Sequence, residues 1–211
     1  MQIRREGPAI EAESFRIIEQ KMGEHGFSPL EFPLVRRVVH ATADFEIGCS
    51  LVFSAGAVQA GMQLIRRGCP ILTDIRMVAS GISRAALKKA GGGEVLCRIA
   101  DPDVSAQSQA SGMTRSAAAV RSFGSLLTES ILVIGNAPTA LREVLRLNQE
   151  EGIAPAFLIA VPVGFVDAAE SKEALMQTDL AYITNRGRKG GTPVAVALVN
   201  ALLKMAEGGD T

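Results

Sequence analysis

The sequence predicts a three-layer α/β/α domain built on a doubly wound, mainly parallel sheet. From about residue 70 onward, short apolar runs are each followed by a polar or glycine turn and then a helical stretch. The runs do not alternate polar with apolar residues, which suits strands buried on both faces. A chain of 211 residues that is 47% hydrophobic can bury one sizeable core, and no linker, internal repeat or low-complexity segment divides it. One domain over residues 1–211 follows.

The chain opens with helices. In "IEAESFRIIEQKM", Ile10, Ser14, Ile17 and Ile18 fall near one face at helical spacing, and Gly23 and Gly26 end the element. Ser14 is the polar member of that apolar stripe. In "SPLE", Ser28 and Glu31 have capping-box spacing, while Pro33 argues for a regular helix that begins there instead. From Leu34 onward, Leu34, Val35, Val38, Val39 and Thr42 project to one side, and Arg36, Arg37 and His40 to the other. His40 therefore faces away from the local core.

The predicted strands are "ILT" at 71–73, "EVLCRIA" at 94–100, "SILVIG" at 130–135, "AFLIAVPV" at 156–163 and "LAYIT" at 180–184. Helices are predicted from "MTRSAAAVRSFGSLL", "PTALREVLRL", "DAAESKEALM" and "PVAVALVNALLKM", and "AEGGDT" reads as a frayed polar end. "AGGGE" reads as a helix end leading into a strand. Doubly wound sheets bind ligands beyond the carboxyl ends of their strands. Here those turns are "TDIR", "ADPDVS", "GNAPT", "VGF" and "TNRGRKGGTP".

Composition excludes several classes. Lys plus Arg and Asp plus Glu each total 22, so no global field draws nucleic acid or an anionic membrane. Charged ligands must meet a local cluster. Cys49, Cys69 and Cys97 are odd in number and widely spaced, which argues against disulfides and structural zinc and for buried thiols in a reducing compartment. "MQIRREGPAIEAESF" has no apolar signal core, and no later stretch has the ~18 uninterrupted apolar residues of a spanning helix. A cytoplasmic protein is expected.

The rim turns point to anions. "NRGRKGGTP" sets Arg186, Arg188 and Lys189 in a glycine-rich loop before a helix start marked by Thr192 and Pro193, suited to phosphate or carboxylate but lacking P-loop spacing. A tight turn with solvated charges fits the same residues. "GNAPTAL" is mainly a turn, with Asn136 able to bond backbone or ligand. Arg115 opens an alanine-rich helix whose small residues permit close approach of a helix or subunit, and its guanidinium could clamp a carboxylate. His40 could exchange protons, with Arg37 one turn earlier holding an anionic ligand. An ordinary surface histidine has the same spacing. Asp44 and Glu46 follow the helix end, no G-x-S-x-G elbow accompanies them, and two histidines make no metal site.

Beyond these local signals, "IEAESFRII", "RRVVHATADFE", "PILTDIRMVASGI", "MTRSAAAVR", "VIGNAPTAL", "VPVGFVDAAESKEAL" and "NRGRKGGTPVAVALVNAL" occur in order along nearly the whole chain. In these motifs the sequence resembles the precorrin-8X methylmutase family, called cobalt-precorrin-8 methylmutase in the anaerobic route of cobalamin biosynthesis. The resemblance implies a homodimer with a flavodoxin-like sheet and an isomerase that moves a methyl group from C-11 to C-12 of the corrin precursor. It implies His40 as catalytic residue and Ser14, Arg37 and Arg115 as substrate contacts. It implies no cofactor and no protein-bound metal; cobalt, if present, arrives inside the substrate. "HATADFE" leans towards the cobalt-handling members. A non-catalytic corrinoid carrier is the alternative, although such a carrier would be expected to lose His40 first. A nucleotide-binding enzyme using the "RGRKGGTP" loop and an S-adenosylmethionine-dependent methyltransferase are weaker readings, since no G-x-G-x-x-G turn follows an early strand.

Overall fold

The computed structural model describes residues 7–208. Part of the amino-terminal stretch screened for a signal core, and the last residues of the polar end, lie outside them. Six strands form one sheet in the order β1-β6-β5-β4-β2-β3, comprising β1 (Leu51–Phe53), β2 (Ile71–Thr73), β3 (Val95–Leu96), β4 (Ile131–Ile134), β5 (Phe157–Ala160) and β6 (Tyr182–Asn185). All neighbours pair in parallel except β1, which runs antiparallel to β6. Counted from β2, the parallel strands follow the 2-1-3-4-5 order of the flavodoxin-like sheet.

Burial explains which runs became strands. Every residue of β2, β4, β5 and β6 is buried, because helices cover both faces. The run at 94–100 is shorter than predicted: only Val95 and Leu96 pair, at the sheet edge, and the chain then turns with the Asp101 amide donating to the Arg98 carbonyl at 2.9 Å. β1 was not anticipated. It is three residues long, and its partner lies more than 120 positions away in sequence, at Ile183 to Asn185.

One face of the sheet carries α2 (Phe32–Thr42), α4 (Ala57–Arg66), α5 (Arg76–Gly81), α6 (Arg84–Ala90) and α11 (Thr192–Ala206). Leu34, Val35, Val38, Val58, Leu87, Leu198 and Leu202 from these helices pack on Ile71, Val133, Ile159 and Ile183. The other face carries α8 (Arg115–Ser122), α9 (Pro138–Arg146) and α10 (Ala168–Leu175), whose Val120, Leu141 and Leu175 meet Leu72, Leu132 and Leu158. The outer α7 (Pro102–Ser111) packs its Val104 on Ala118 and Ala119. The alanines of α8 therefore serve contact within the chain.

Both helix-start signals near residue 30 are used. Ser28 and Glu31 exchange reciprocal bonds of 2.8 and 3.3 Å in a turn, after which α2 begins with Pro33 in its first turn. The glycine run after Ala90 ends α6 and leads into β3. Of the cysteines expected to be buried, Cys49 is exposed and Cys69 and Cys97 are partly exposed; all are free thiols. Among the described residues no helix is long and apolar enough to cross a membrane.

Candidate active site

The polar face of α2 is covered, not solvated. α1 (Gly7–Met22) lies along it, outside the main core, and brings a residue 26 positions away against His40. Ser14 Oγ stands 2.8 Å from His40 Nδ1. Phe15, next along α1, meets the imidazole edge-on with ring centroids 5.3 Å apart. Arg36 and Arg37 hold the same Phe15 ring from 4.3 and 4.7 Å. Arg36 also pairs with Glu19, and Arg37 donates to Glu11 at 2.6 Å. Two helices whose facing sides are polar are thus locked by two ion pairs and a shared aromatic ring.

This arrangement fixes the imidazole. With Nδ1 engaged by Ser14, Nε2 is the nitrogen left for a ligand. A serine hydroxyl can donate to a neutral ring nitrogen or accept from a protonated one, so Ser14 can hold the ring in either charge state. Glu11 stays ionised more readily than an ordinary glutamate, chiefly through its bond to Arg37; burial opposes this, and the charges of Arg37, Lys204 and His40 add to it. The carboxylate therefore remains a negative partner for Arg37 and a fixed charge beside the histidine.

His40 stands between two cavities. One, of about 660 Å³, is lined by Glu11, Arg37, Ser83, Lys89, Val196, Asn200 and Lys204 among others. The second, of about 470 Å³, is mainly apolar, with Ile10, Ile17, Ile18, Val39 and Phe45 around Ser14 and His40. Of the apolar residues predicted to share one face of α1, Ile18 is buried but Ile10 is 52% and Ile17 39% exposed. Their side chains floor this second cavity, because α1 rests on α2 and not on the sheet. Together the cavities offer isoleucine side chains on one side of the histidine and, on the other, Arg37, Lys89 and Lys204 beside the carboxylates of Glu11 and Glu207, a mixed lining that suits a large ligand with an apolar body and several charged groups.

The sequence-predicted residues separate into two groups. Ser14, Arg37 and His40 come together. Arg115 does not join them: it is exposed at the start of α8, on the opposite layer, where Thr114 caps the helix and hydrogen-bonds Thr139 at 2.8 Å. Asp44 and Glu46, next to His40 in sequence, turn to Lys189, which they meet at 2.7 and 2.9 Å. They tie the end of α2 to the glycine-rich loop and leave His40 to Ser14. The members that spacing did not single out are Glu11, one turn before Ser14 on the same face, and Phe15, Lys89, Asn200 and Lys204. Glu11 had a signal, its i−3 relation to Ser14; Lys204 had none, since α11 is remote in sequence.

The customary ligand crevice of this sheet order, between β2 and β4, is filled by the protein itself. Asp74 is buried and accepts from the amides of Gly135, Asn136 and Ala137 at 3.0, 2.9 and 2.9 Å. Those are the amides that would otherwise receive a phosphate. Burial pushes the Asp74 carboxyl up while the three amides pull it down, and burial wins. The turns "TDIR" and "GNAPT" therefore satisfy each other.

A family profile described as precorrin-8X methylmutase matches residues 9–205. The chain belongs to the precorrin-8X methylmutase family. Cobalt-precorrin-8 methylmutase of Leptospira interrogans is 42% identical, covering 97% of this chain and 96% of its own. Precorrin-8X methylmutase of a Sinorhizobium species is 40% identical, with 95% of each chain covered. A crystal structure of precorrin-8X methylmutase from Thermus thermophilus superposes with a TM-score of 0.89 at 45% identity, over 97% of this chain and all of that one. Methylmutases named for the cobalt-containing and the cobalt-free precursor thus stand at similar identity. For this methylmutase-family chain, the match spans both the α1–α2 pair holding His40 and the carboxyl-terminal loop and helix.

Proposed function

We infer that the protein is an isomerase of cobalamin biosynthesis, moving a methyl group from C-11 to C-12 of precorrin-8X or cobalt-precorrin-8 to give hydrogenobyrinic or cobyrinic acid. The observation that carries this reading is a family match over residues 9–205 whose histidine is held by Ser14 at 2.8 Å between a cavity lined by isoleucines and one lined by Arg37, Lys89 and Lys204 with Glu11 and Glu207. A macrocycle bearing many carboxylates needs both kinds of wall.

In this reading His40 is the general acid. Its Nε2 donates a proton, or a hydrogen bond, to the conjugated ring system near the migrating methyl. Positive character in the π-system favours migration, and the proton returns to Nε2 afterwards. Ser14 accepts from Nδ1–H both before and after Nε2 gives up its proton, which keeps the ring oriented through the cycle. Arg37, held by Glu11, meets a substrate carboxylate. The rest is positioning, because the migrating carbon visits no protein nucleophile. No step is assigned to a bound cofactor, and cobalt, where present, is part of the substrate.

The assembly in this reading is a homodimer in which the substrate contact from Arg115 is made across subunits, since α8 and His40 lie on opposite layers of one chain. The test of the corrinoid assignment is capture of hydrogenobyrinic acid by the purified protein, followed by visible spectrum and co-elution on a sizing column. One equivalent per subunit, weakened by Arg37→Ala, supports it. Absence of capture, with stabilisation by nucleotides instead, overturns it.

A further inference from the structure

The loop after β6 carries three cations, and two of them are already committed. Arg186 pairs with Glu173 at 3.2 Å, and Lys189 holds Asp44 and Glu46. Arg188 has no carboxylate partner among the described residues. Its guanidinium rests instead over the ring of Phe165, 5.5 Å from the centroid. Phe165 is 88% exposed and Val166 83%, the two most exposed large apolar side chains among the described residues. Arg188 and Phe165 share a cavity of about 500 Å³ with Val163, Gly164, Arg186, Lys189, Ser50 and Glu46. Its one carboxylate, Glu46, is engaged by Lys189, so the wall presents positive charge over an apolar floor.

The loop is built to hold that arginine still. Lys172 is buried beneath it and donates to the Asn185 side-chain oxygen at 3.1 Å and to the Lys189 carbonyl at 2.7 Å. The Asn185 amide nitrogen donates in turn to the carbonyls of Arg186 and Lys189. The Gly164 amide binds the Arg188 carbonyl, and the Gly191 amide binds the Val161 carbonyl at 2.7 Å. Gly190 lies so close that a β-carbon there would stand 2.3 Å from the Val161 carbonyl oxygen. A guanidinium on a pinned backbone, backed by an aromatic face and lacking an anion, is preorganised for one.

We propose that this cavity is a carboxylate subsite, with Arg188 as anchor and Phe165 as the apolar platform beneath the carboxylate's stem. The proposal rests on the corrinoid reading and assigns the cavity to a peripheral carboxylate arm of that substrate. Phe45 lines the cavity beside His40 and Glu46, the next residue, lines this one. Inorganic phosphate could meet the same guanidinium, and the experiment separates the two.

The test is a titration of wild type and Arg188→Gln with hydrogenobyrinic acid, with its fully amidated counterpart and with inorganic phosphate, followed by absorbance or heat. The acid is expected to bind Arg188→Gln about tenfold more weakly, the amidated compound equally to both proteins, and phosphate to neither at millimolar concentration. Phe165→Ser is expected to weaken the acid without altering elution volume on a sizing column. If wild type captures the acid and Arg188→Gln captures it equally, the subsite is wrong while the corrinoid reading stands. If wild type captures neither corrinoid, that reading fails and the subsite with it. A change of elution volume in Phe165→Ser with unchanged corrinoid affinity would assign the apolar face to subunit contact and overturn the proposal.

Discussion

At the scale of single residues, His40 is the proposed acid and its neighbours are supports of different kinds. Replacing His40 by alanine is expected to lower turnover at least ~100-fold, the range for loss of a general acid, while corrinoid capture survives because binding is spread over many contacts. A fall of only a few-fold would refute the acid role. Ser14→Ala removes one hydrogen bond and the ring's orientation, so turnover should drop about tenfold with little change in capture. Arg37→Ala should raise the substrate requirement more than it slows chemistry, as steady-state kinetics would show. Lys172 makes a separate prediction. Burial pushes its ammonium down to about 8, opposed by the nearby charge of Glu173. Among the described residues two acceptors meet its nitrogen, and a neutral amine has two hydrogens to give. Because the folded chain binds this proton less tightly than the unfolded one, stability should rise with pH between about 8 and the ordinary lysine value of 10.5, by at most ~1.4 kcal/mol per unit. Denaturation of wild type against Lys172→Met across that window should show the rise in wild type alone.

At the scale of elements, what was legible depended on how local its cause was. The runs at 71–73, 131–134, 157–160 and 182–185 could be read because both faces of each strand are buried, so apolar residues follow one another without alternation and the polar members, Thr73, Thr184 and Asn185, fall towards the carboxyl ends. The side-chain periodicity of α2 was legible because only one face of that helix, with Leu34, Val35, Val38 and Val39, is buried. β1 escaped because three residues carry no periodicity and its pairing is set by a distant partner. The cover over His40 escaped as well: periodicity gave a polar face to α2 and a serine in a stripe on α1, but no local rule says that the two faces meet. Nor does anything in "TD" reveal that Asp74 closes the β2–β4 crevice, since an acidic residue after a strand reads equally well as a ligand contact. The family resemblance named Ser14 as a substrate contact and His40 as the catalytic residue, but not the hydrogen bond that joins them. One element-scale consequence is that Gly190→Ala should destabilise the chain by about 1 to 3 kcal/mol, the cost of forcing volume into a packed site. The alanine β-carbon would strike the Val161 and Pro162 carbonyls. Thermal unfolding would register the loss.

At the scale of the whole molecule, the sheet separates the site from Arg115, and the dimer reading reunites them across subunits. At substrate concentrations where Arg115→Ala turns over slowly, mixing His40→Ala and Arg115→Ala subunits and letting them exchange should therefore restore up to about a quarter of wild-type turnover. No recovery, in subunits shown to exchange, would place Arg115 outside the site. The central claim, that this molecule moves a methyl group with His40 as the acid, is tested most directly by single turnover with substrate carrying a carbon-13 methyl at C-11. Wild type is expected to convert the C-11 methyl resonance to a C-12 resonance, and His40→Ala to bind the substrate but leave the label at C-11. A label that stays in place with wild type, or that moves equally well with His40→Ala, would contradict it.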